Sequence, residues 1–528
     1  MGNYLNTGNA GFRSIRKGCY VDKTGLIAFI NGTLGTKNKL TCVSRARRFG
    51  KSFAVQMLSA YYDKSCDSRA LFEDLEIAKA PSFEEHLNKY DVIYLDITLF
   101  ISVCRDLGSI MAYIQEQVIQ EIVALYPSAV GEKSLPMAMA KASESSGSKF
   151  IVIIDEWDAL FREAKDDRNL QKEYIQLLRG LFKSNLTDRM IEAAYMTGIL
   201  PIKKYGTQSA LTDFKEYTMV SPRWLAEYVG FTEPEVKRLC EEYGMDFYEA
   251  KKWYDGYYFQ DVGSVYNPNA IMQVAQDGKF RSYWTQTETY EGLKLYIDMD
   301  FEGLKETIIQ MLGGAKCPVD TDMFQNDMTS VQNRDDVLTL LVHLGYLAYD
   351  EELKQAFIPN EEIRREFVRA VKNSSHGEIA KLVKESDKLL QAVLNLDEET
   401  VAVAIEKVHS ISTAPIFYNN EQALRSVIRL AFISCMDQFK ERQELPSGTG
   451  YADVVYLPKK NSVMPIMVVE LKWNKGAESA IGQIKERNYP EVFEGYGSEV
   501  LLVGVSYDEK TKNHECLIEK WQKCSDGN

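Results

Sequence analysis

Gly50, Lys51 and Ser52 form the last three positions of a phosphate-binding P-loop, GxxxxGK[ST], between the strand-like run KLTCV (39–43) and an apolar helical pattern. In a P-loop, backbone N–H groups at the start of a helix bind phosphate, the lysine adds a positive charge, and the hydroxyl ligates Mg²⁺. These three residues therefore predict a nucleotide site for ATP and Mg²⁺. The alternative is a basic turn at the start of a solvated helix.

Arg45 stands where the motif has its first glycine, and Arg47, Arg48 and Phe49 complete the loop. A residue other than glycine at positive φ costs about 1 kcal/mol, which does not prevent nucleotide binding. The first 60 residues carry a charge of +9, with Asp22 as their one acid, and the remaining residues carry −23. A basic segment on an acidic chain indicates a local polyanion site and argues against broad, nonspecific binding of duplex DNA. The three arginines are therefore expected either to contact phosphate or to hold the loop to its own domain.

The apolar run FIVIID ends in Asp155 and is followed by Glu156, which is the Walker B pattern. A carboxylate at the carboxyl end of a central parallel strand lies where such sheets bind ligands. Asp155 is expected to hold Mg²⁺ through water, and Glu156 to orient or activate the attacking water. Thr197, at the end of another apolar run, could contact the γ-phosphate or could cap the turn that follows. Arg223 could act in trans as an arginine finger, but surface arginines are common, and an ordinary surface residue is the favoured interpretation.

A second group of chemical residues lies near the C-terminus, where Asp453 stands in one strand-like run and Glu470 and Lys472 end the next. Buried charges are costly unless they are paired or bind metal, so the two carboxylates are a candidate Mg²⁺ site, and Lys472 could stabilise the attacking hydroxide or the charged phosphorane. Gln483 lies beside the apolar stripe of the helix that follows Lys472. Glu421 lies at the end of the buried face of a helix that precedes Asp453. Since Asp-x16-Glu-x-Lys is a weak motif, a structural ion pair between Lys472 and either carboxylate is the alternative. The surrounding order of helix, strand, strand, helix and strand favours a nuclease-like core.

Apolar strand-like runs alternate with helical patterns over the first 200 residues, at 39–43, 91–97, 150–155 and 191–198, which predicts a parallel sheet with crossover helices. The segment SESSGS (143–148) is expected to be a loop. The stretch 336–367 is expected to form a helix, a glycine stop, a hairpin and a helix. The fold class is therefore α/β: a P-loop NTPase sheet, a helical lid, a winged-helix-like middle region and a C-terminal α/β restriction-endonuclease-like domain. The expected boundaries of these four parts are 1–219, 220–300, 301–372 and 373–528.

The chain resembles a bacterial family that fuses an N-terminal AAA-ATPase-like domain to a C-terminal PD-(D/E)XK nuclease-superfamily domain. The resemblance covers nearly the whole chain and is carried by YVDKTGLI, SRARRFGKS, FIVIIDEWD, MTGILPI, GFTEPEV, WYDGYYF, VYNPNAI, HLGYLAYD, FIPNEEI, GYADVVYL and VVELKW. It implies that an arginine-rich loop is the family's own variant of the P-loop, and that Tyr20 and Asp22 lie close to the nucleotide. One departure is SRA, where the family more often has Thr-Arg-Pro, which leaves the loop less rigid.

These features predict an ATP-binding, ATP-hydrolysing regulator that gates an Mg²⁺-dependent nuclease acting on DNA in preference to RNA. ATP would close the lid region and reposition the C-terminal domain. The alternative is a nucleotide-dependent switch whose nuclease fold is inactive and only binds nucleic acid or a partner; the presence of Asp453, Glu470 and Lys472 argues against it. A kinase-like transferase is disfavoured because no acceptor-site base stands out beyond Glu156.

The remaining composition bears on location and partners. No run of about 18 apolar residues could span a membrane, and no apolar segment near the N-terminus reads as a secretion signal. We therefore expect a cytoplasmic protein without a membrane partner, and a homo-oligomer is allowed for. The nine cysteines and five histidines are dispersed along the sequence and suggest neither a disulfide framework nor a zinc site.

Overall fold

The computed structural model describes residues 2–104, 106–205, 208–284, 289–299, 301–326, 328, 331–372, 377–412, 421–447, 450–459, 464–487 and 499–521. Two compact units divide the chain. The first unit contains Met1–Tyr283 and Pro318–Glu362, and the second contains Trp284–Cys317 and Ile363–Asn528. The four-part division expected from the sequence stays a prediction.

Among the described residues, the α-helices, numbered in chain order, are α1 (Ala10–Arg16), α2 (Gly25–Asn31), α3 (Lys51–Tyr62), α4 (Arg69–Phe72), α5 (Phe83–His86), α6 (Ile97–Val103), α7 (Ile110–Leu125), α8 (Leu135–Ser146), α9 (Ala159–Glu163), α10 (Arg168–Phe182), α11 (Thr187–Met190), α12 (Glu233–Tyr243), α13 (Phe247–Tyr254), α14 (Pro268–Asp277), α15 (Thr289–Ile297), α16 (Leu304–Leu312), α17 (Arg334–Leu344), α18 (Glu361–Lys372), α19 (Gly377–Leu394), α20 (Glu398–Ser412), α21 (Glu421–Ala431) and α22 (Ala477–Glu486). The strands are β1 (Leu40–Ser44), β2 (Asp91–Asp96), β3 (Phe150–Asp155), β4 (Ile191–Gly198), β5 (Lys204–Tyr205), β6 (Gln208–Ser209), β7 (Lys215–Tyr217), β8 (Phe231–Thr232), β9 (Tyr257–Phe259), β10 (Gly263–Tyr266), β11 (Cys317–Pro318), β12 (Ala348–Asp350), β13 (Gln355–Phe357), β14 (Phe439–Ser447), β15 (Gly450–Pro458), β16 (Ile466–Trp473), β17 (Val500–Asp508) and β18 (Asn513–Lys520).

The core of the first unit is a five-stranded parallel sheet in the order β2-β3-β4-β1-β7. Strands β1 and β3 are buried along their whole length, which is why they read in the sequence as unbroken apolar runs. The predicted parallel sheet and its first four strands are confirmed. Strand β4 lies between β1 and β3, so the strand before the P-loop and the strand that ends in Asp155 are separated by one strand. Because all three run parallel, the P-loop and Asp155 lie at the same edge of the sheet.

The crossover helices follow the predicted apolar periodicity, with one difference at the segment SESSGS. Helix α8 continues through the three serines to Ser146, and Gly147 ends it in the left-handed conformation at φ 68°. The serines therefore belong to the last turn of the helix, and the loop expected at 143–148 is wrong for its first four residues. Glycine is the favoured residue just after a helix because the left-handed conformation carries no Cβ penalty there.

The first unit also contains an aromatic-rich segment and the first helix and hairpin of a small module, whose second helix, α18, belongs mostly to the second unit. In the aromatic segment, the strands β9 and β10 form a hairpin, and α14 starts at an Asn267 cap whose side chain accepts hydrogen bonds from the N–H groups of Asn269 and Ala270. In the module, α17 ends at Gly345 with φ 85°, the antiparallel hairpin β12–β13 follows, and α18 begins at Glu361. The predicted order of helix, glycine stop, hairpin and helix is confirmed.

The second unit is built on a five-stranded mixed sheet in the order β14-β15-β16-β17-β18. Strands β16 and β17 are parallel, while the other neighbours are antiparallel. Helix α22 connects β16 with β17, and its buried Ala477, Ala480, Ile481 and Ile484 face the sheet. The first six residues of β16 are buried, as expected for a strand covered on both faces. The predicted C-terminal α/β core is confirmed, with β14 and β18 added at its two edges.

Candidate nucleotide and nuclease-like sites

The P-loop turn lies between the end of β1 and the start of α3. Gly50 caps α3 in the left-handed conformation at φ 93°, and an added Cβ there would meet no atom within 4 Å. The glycine is therefore needed for backbone conformation and not for space. Arg48 also has a positive φ, 68°, although it carries a side chain. Helix α3 is 12 residues long, so its N-terminal N–H groups and its dipole can act on an anion at the loop.

The Lys51 ammonium lies inside this loop. It donates hydrogen bonds to the carbonyl oxygens of Arg45 and Ala46, each at 3.1 Å, and lies 3.7 Å from Oε1 of Glu156. Burial lowers the pKa of Lys51, and the carboxylates of Glu156 and Asp155 oppose that shift. The structure thus brings the lysine of the loop together with the acidic end of β3, as the two motifs predict.

Asp155 is the last residue of β3, is almost fully buried, and forms a hydrogen bond with the Ser52 hydroxyl of α3. Burial raises the pKa of Asp155 to about 6; the Ser52 hydrogen bond opposes this rise, and the charge of Glu156 adds to it. A hydroxyl beside a carboxylate is a donor set that suits Mg²⁺, which prefers oxygen ligands. The two predicted metal ligands of this site therefore fit that ion.

Glu156 has left-handed backbone geometry, with φ 51°, and its second carboxylate oxygen forms an ion pair with Nη2 of Arg162. Arg162 also contacts Asp158 through Nε at 3.0 Å. Asp158 is fully buried and accepts hydrogen bonds from the N–H groups of Ile199 and Leu200 after β4. Arg162 and Asp158 therefore hold the candidate base in place. Sequence reasoning missed both residues, although the DEWD run contains Asp158.

The arginine side chains of the loop have different partners. Arg45 is fully buried, and its Nη1 donates to the carbonyl oxygens of Ser44, Tyr217 and Thr218. Burial lowers the pKa of its guanidinium to about 10. Nη1 of Arg45 thus ties the loop to its own sheet at the end of β7, which is one of the two expected roles. Its Nε and Nη2 are buried without a hydrogen-bond partner among the described residues, and a phosphate contact of Arg45 stays a prediction.

The next loop residues contact the aromatic segment of the same unit. Nη1 of Arg48 donates to the carbonyl oxygen of Tyr283 at 2.9 Å. The Phe49 ring packs edge-on against Tyr257, with centroids 5.3 Å apart, and is buried. Arg47 is half-buried, and its carbonyl oxygen lies 3.5 Å from Nδ2 of Asn267. In the structure, Arg48 and Phe49 therefore connect the loop to the segment around 257–283, and their expected contact with nucleotide stays a prediction.

Three further predicted nucleotide contacts have structural partners of their own. The Thr197 hydroxyl is fully buried and donates to the carbonyl oxygen of Val43, between neighbouring strands. Asp22 accepts hydrogen bonds from Thr24 and from the N–H group of Glu76. The Tyr20 hydroxyl lies 3.3 Å from the sulfur of Met57 on α3. Thr197 and Asp22 therefore have clear roles in the fold, and a role of any of the three toward nucleotide stays a prediction.

In the second unit, Asp453 on β15 and Glu470 on β16 are both buried and lie near one another where the two strands pair. Oδ2 of Asp453 accepts a hydrogen bond from the N–H group of Leu471 at 2.9 Å. Nζ of Lys472 lies 3.2 Å from Oε1 of Glu470, and the amide of Gln483 on α22 contacts the same oxygen. The structure thus brings together Asp453, Glu470, Lys472 and Gln483, which the sequence singled out.

The remaining oxygen of Glu470, Oε2, is buried and has no hydrogen-bond partner among the described residues. Burial raises the pKa of Glu470 to about 7; the nearby charge of Asp453 adds to the rise, and Lys472 opposes it. A buried, unpartnered carboxylate oxygen beside a second carboxylate is costly without a cation. These residues therefore fit Mg²⁺, which prefers oxygen ligands.

Arg425 on α21 is a neighbour of this site that sequence reasoning overlooked. Its Nη2 lies 2.5 Å from Oδ1 of Asp453. Arg425 stands four residues after Glu421 on the same helix, so the two residues share one face, and this spacing could have indicated that Arg425 lies near the site. The buried face predicted for this helix is confirmed at Leu424, Ile428 and Ala431. The side chain of Glu421 lies outside the described residues, and its predicted role stays a prediction.

The parallel sheet of the first unit carries the GKS loop and the acidic end of β3, which defines a P-loop ATPase-like domain. The mixed sheet of the second unit carries Asp453, Glu470 and Lys472 on neighbouring strands, which defines a nuclease-like domain in the same chain. Comparison with family models agrees: residues 7–207 match a family described as "Predicted AAA-ATPase", and residues 419–516 match the PD-(D/E)XK nuclease superfamily. The chain therefore combines an AAA-ATPase-like domain with a C-terminal PD-(D/E)XK nuclease-superfamily domain.

Individual proteins resemble the chain more distantly. An uncharacterized protein from the vnfD 5′ region of Azotobacter chroococcum mcd 1 is 26% identical over 292 residues, which is 53% of this chain and 53% of that protein. The chain thus matches about half the length of this curated relative. Among solved structures, a Walker-type ATPase of Pyrococcus abyssi is 13% identical at a TM-score of 0.31, over 65% of this chain and 94% of that one. The ORC2 protein of Aeropyrum pernix is 10% identical at a TM-score of 0.24, over 66% and 93%.

A search of the described residues finds no helix with the length and apolar character needed to cross a membrane.

Proposed function

We propose that this protein is an ATP-binding and ATP-hydrolysing regulator coupled to an Mg²⁺-dependent nuclease that acts on DNA. The observation that carries the proposal is Oε2 of Glu470, a buried carboxylate oxygen without a hydrogen-bond partner among the described residues. It lies in a site that also holds Asp453 and Lys472. A purely structural ion pair gives no reason to bury an oxygen without a partner. A cation site gives such a reason, because the bound ion would be the partner of that oxygen.

The nucleotide half of the proposal rests on Lys51, Ser52, Asp155 and Glu156. Lys51 would exchange its loop carbonyl partners for phosphate oxygens, which are stronger acceptors because they are charged. Ser52 and Asp155 would hold Mg²⁺, which would neutralise charge on the phosphates. Glu156 would accept the proton of the attacking water once its carboxylate turns from Arg162.

The coupling half rests on contacts within the first unit. Arg48 donates to the carbonyl oxygen of Tyr283, Phe49 packs on Tyr257, and Asn267 reaches the carbonyl oxygen of Arg47. A change in the loop on nucleotide binding would therefore act directly on the segment 257–283. We propose this segment as the lid through which ATP regulates the nuclease.

In the nuclease half, Asp453 and Glu470 would hold Mg²⁺, which would supply Lewis-acid stabilisation of the scissile phosphate. Lys472 would donate to the phosphate oxygen that gains negative charge during attack, since its ammonium already lies at the site. Gln483 would hold the Glu470 carboxylate in place through its amide. Each of these roles uses a side chain that the structure brings to one end of β16.

The nuclease assignment is tested with linear, circular and single-stranded DNA and with RNA, each incubated with Mg²⁺ and with or without ATP. We expect cleavage of DNA by the wild type and its loss in Lys472→Ala and in Asp453→Ala. Lys475→Ala is the matched control, because Lys475 is an exposed lysine three residues along the chain. Cleavage that persists in Lys472→Ala and Asp453→Ala would overturn the nuclease assignment.

The nucleotide assignment is tested separately by calorimetric titration of ATP with Mg²⁺. We expect binding to the wild type and to Lys17→Ala, which changes an exposed lysine of the same basic segment, and none to Lys51→Ala. Equal binding to Lys51→Ala would contradict the assignment.

One observation favours a second candidate function, a switch whose nuclease fold is inactive and only binds nucleic acid or a partner. Arg425 pairs with Asp453, so this carboxylate has a positive partner without any metal. If the pair is the resting state of a nuclease, Arg425→Gln should bind Mg²⁺ more tightly than the wild type and retain cleavage. If the fold is inactive, neither protein cleaves any substrate, and Mg²⁺ does not bind at Asp453.

A further inference from the structure

A cluster of metal-ligating side chains lies in the second unit, outside the nuclease-like site. It consists of Glu406 and His409 on α20 and His514 on β18, and one ligand atom from each residue lies within 4.8 Å of the other two. The two histidines are 105 residues apart in the sequence, so their dispersed positions gave no sign of a shared site. Among the described residues, these three form the one group of this kind.

The secondary structure explains why the three side chains meet. Glu406 and His409 are three residues apart on α20, which places them on one face of the helix. Strand β18 is the edge strand of the mixed sheet, and α20 packs against it. The start of α20 is also tied to this strand, because Glu398 accepts a hydrogen bond from the N–H group of Ile518 at 2.8 Å.

We propose that Glu406, His409 and His514 form a binding site for a borderline divalent transition-metal ion such as Zn²⁺. Two imidazole nitrogens and one carboxylate oxygen are a ligand set typical of Zn²⁺, and a water molecule would complete its tetrahedral coordination. Mg²⁺ prefers oxygen ligands and would not select this group. The site thus differs in chemistry from the oxygen site at Asp453 and Glu470.

The geometry requires only small side-chain movements. At zinc–ligand distances of 2.0–2.1 Å, tetrahedral ligand atoms lie about 3.4 Å apart. The carboxylate of Glu406 already contacts Nδ1 of His514, and the two imidazole rings have centroids 5.2 Å apart. Glu406 is exposed and His409 half-buried, so both can rotate toward the buried His514.

Aromatic rings pack around the two histidines. The Tyr507 ring packs against both histidines, with centroids 5.4 Å and 4.7 Å away, and Trp473 packs on Tyr507. This aromatic side limits solvent access, as the outer shells of metal sites commonly do. A bound ion would join α20 to the edge of the nuclease-like sheet.

The test measures zinc retained by the full chain. Protein stripped of metal is dialysed against limiting Zn²⁺ with excess Mg²⁺, so that Mg²⁺ occupies the oxygen sites, and bound zinc is measured by mass spectrometry. We expect the wild type to retain about one ion more than His409→Ala or Glu406→Gln. Glu399→Gln, an exposed acid on the same helix, and His86→Gln, a histidine of the first unit, are the matched controls and should retain the wild-type amount.

A second readout separates ligation from nonspecific binding. Co²⁺ in place of Zn²⁺ should give visible absorption bands typical of a tetrahedral site in the wild type, and these should be lost in His409→Ala. Zn²⁺ should also raise the melting temperature of the wild type more than that of His409→Ala. Equal zinc retention and equal cobalt spectra in the wild type, His409→Ala and Glu406→Gln would overturn the proposal and leave a hydrogen-bonded cluster without a metal.

Discussion

Nη1 of Arg45 lies 3.1 Å from the carbonyl oxygen of Tyr217 and 3.0 Å from that of Thr218. The arginine in the place of the first P-loop glycine thus bonds to the chain at the end of β7. Loss of this fully buried side chain would leave those carbonyls without their donor, so we expect it to lower stability, although Nε and Nη2 have no hydrogen-bond partner among the described residues.

We therefore predict that Arg45→Ala lowers the free energy of unfolding by about 2–4 kcal/mol. Urea denaturation measures this change. Arg47→Ala is the matched control, since Arg47 is a half-buried arginine of the same loop, and it should change stability by less than about 0.5 kcal/mol. A fully stable Arg45→Ala protein that has lost only ATP affinity would show that Arg45 binds phosphate after all.

The second prediction concerns the base at the end of β3. Glu156→Gln keeps the shape of the side chain but cannot accept the proton of the attacking water, so kcat for ATP hydrolysis should fall by about 10²-fold or more. The affinity for ATP should stay close to that of the wild type, because Lys51, Ser52 and Asp155 are unchanged. Steady-state kinetics and calorimetric titration measure the two quantities. Glu163→Gln, an exposed acid on α9, is the control, and an equal loss of rate there would contradict the role of Glu156.

The third prediction follows from the pKa of Glu470, which burial raises from 4.5 to about 7. The folded state therefore favours the protonated carboxyl group. The contribution of this group to the free energy of unfolding is fully present below about pH 4.5, and it is lost as the pH rises through about 7. Without divalent ions, Glu470→Gln should gain about 2–3 kcal/mol relative to the wild type between these pH values. Urea denaturation across the pH range measures the difference.

Mg²⁺ provides the control for this prediction. At about pH 8, Mg²⁺ should raise the melting temperature of the wild type more than that of Glu470→Gln, because the ion replaces the missing partner of the carboxylate. A pH-independent difference between the two proteins would mean that Glu470 is ionised in the fold without cost.

The sequence predicted the parts of the fold that depend on local patterns. Strands β1 and β3 are buried on both faces, so each forms an unbroken apolar run that can be recognised in the sequence. The polar residue that ends such a run, Asp155 in particular, can be recognised in the same way. The direction of a side chain cannot be predicted in this way, because it depends on partners that are distant in the sequence. Arg45 turns toward carbonyls about 170 residues away in the sequence, and neither charge nor spacing could show this. His409 and His514 meet only because α20 packs on an edge strand.

The last prediction concerns Gly504 on β17, which pairs with Glu470 in the parallel register of β16 and β17. A Cβ at Gly504 would lie 2.6 Å from the carbonyl oxygen of Ala477 and 3.0 Å from Cγ1 of Ile481, both on α22. The missing side chain therefore lets α22 approach the sheet closely enough for Gln483 to reach Glu470. Gly504→Ala should push the helix outward, lower the free energy of unfolding by about 1–3 kcal/mol, and weaken Mg²⁺ binding.

Gly482→Ala is the matched control, because it adds the same methyl group to α22 where no atom lies within 4 Å. This change should raise stability by about 0.5–1 kcal/mol through helix propensity and leave Mg²⁺ binding unchanged. Urea denaturation and calorimetric titration with Mg²⁺ measure both effects in both proteins. If Gly504→Ala loses stability but binds Mg²⁺ as the wild type does, the approach of α22 supports the fold alone, and Gln483 has no part in holding Glu470 for the metal.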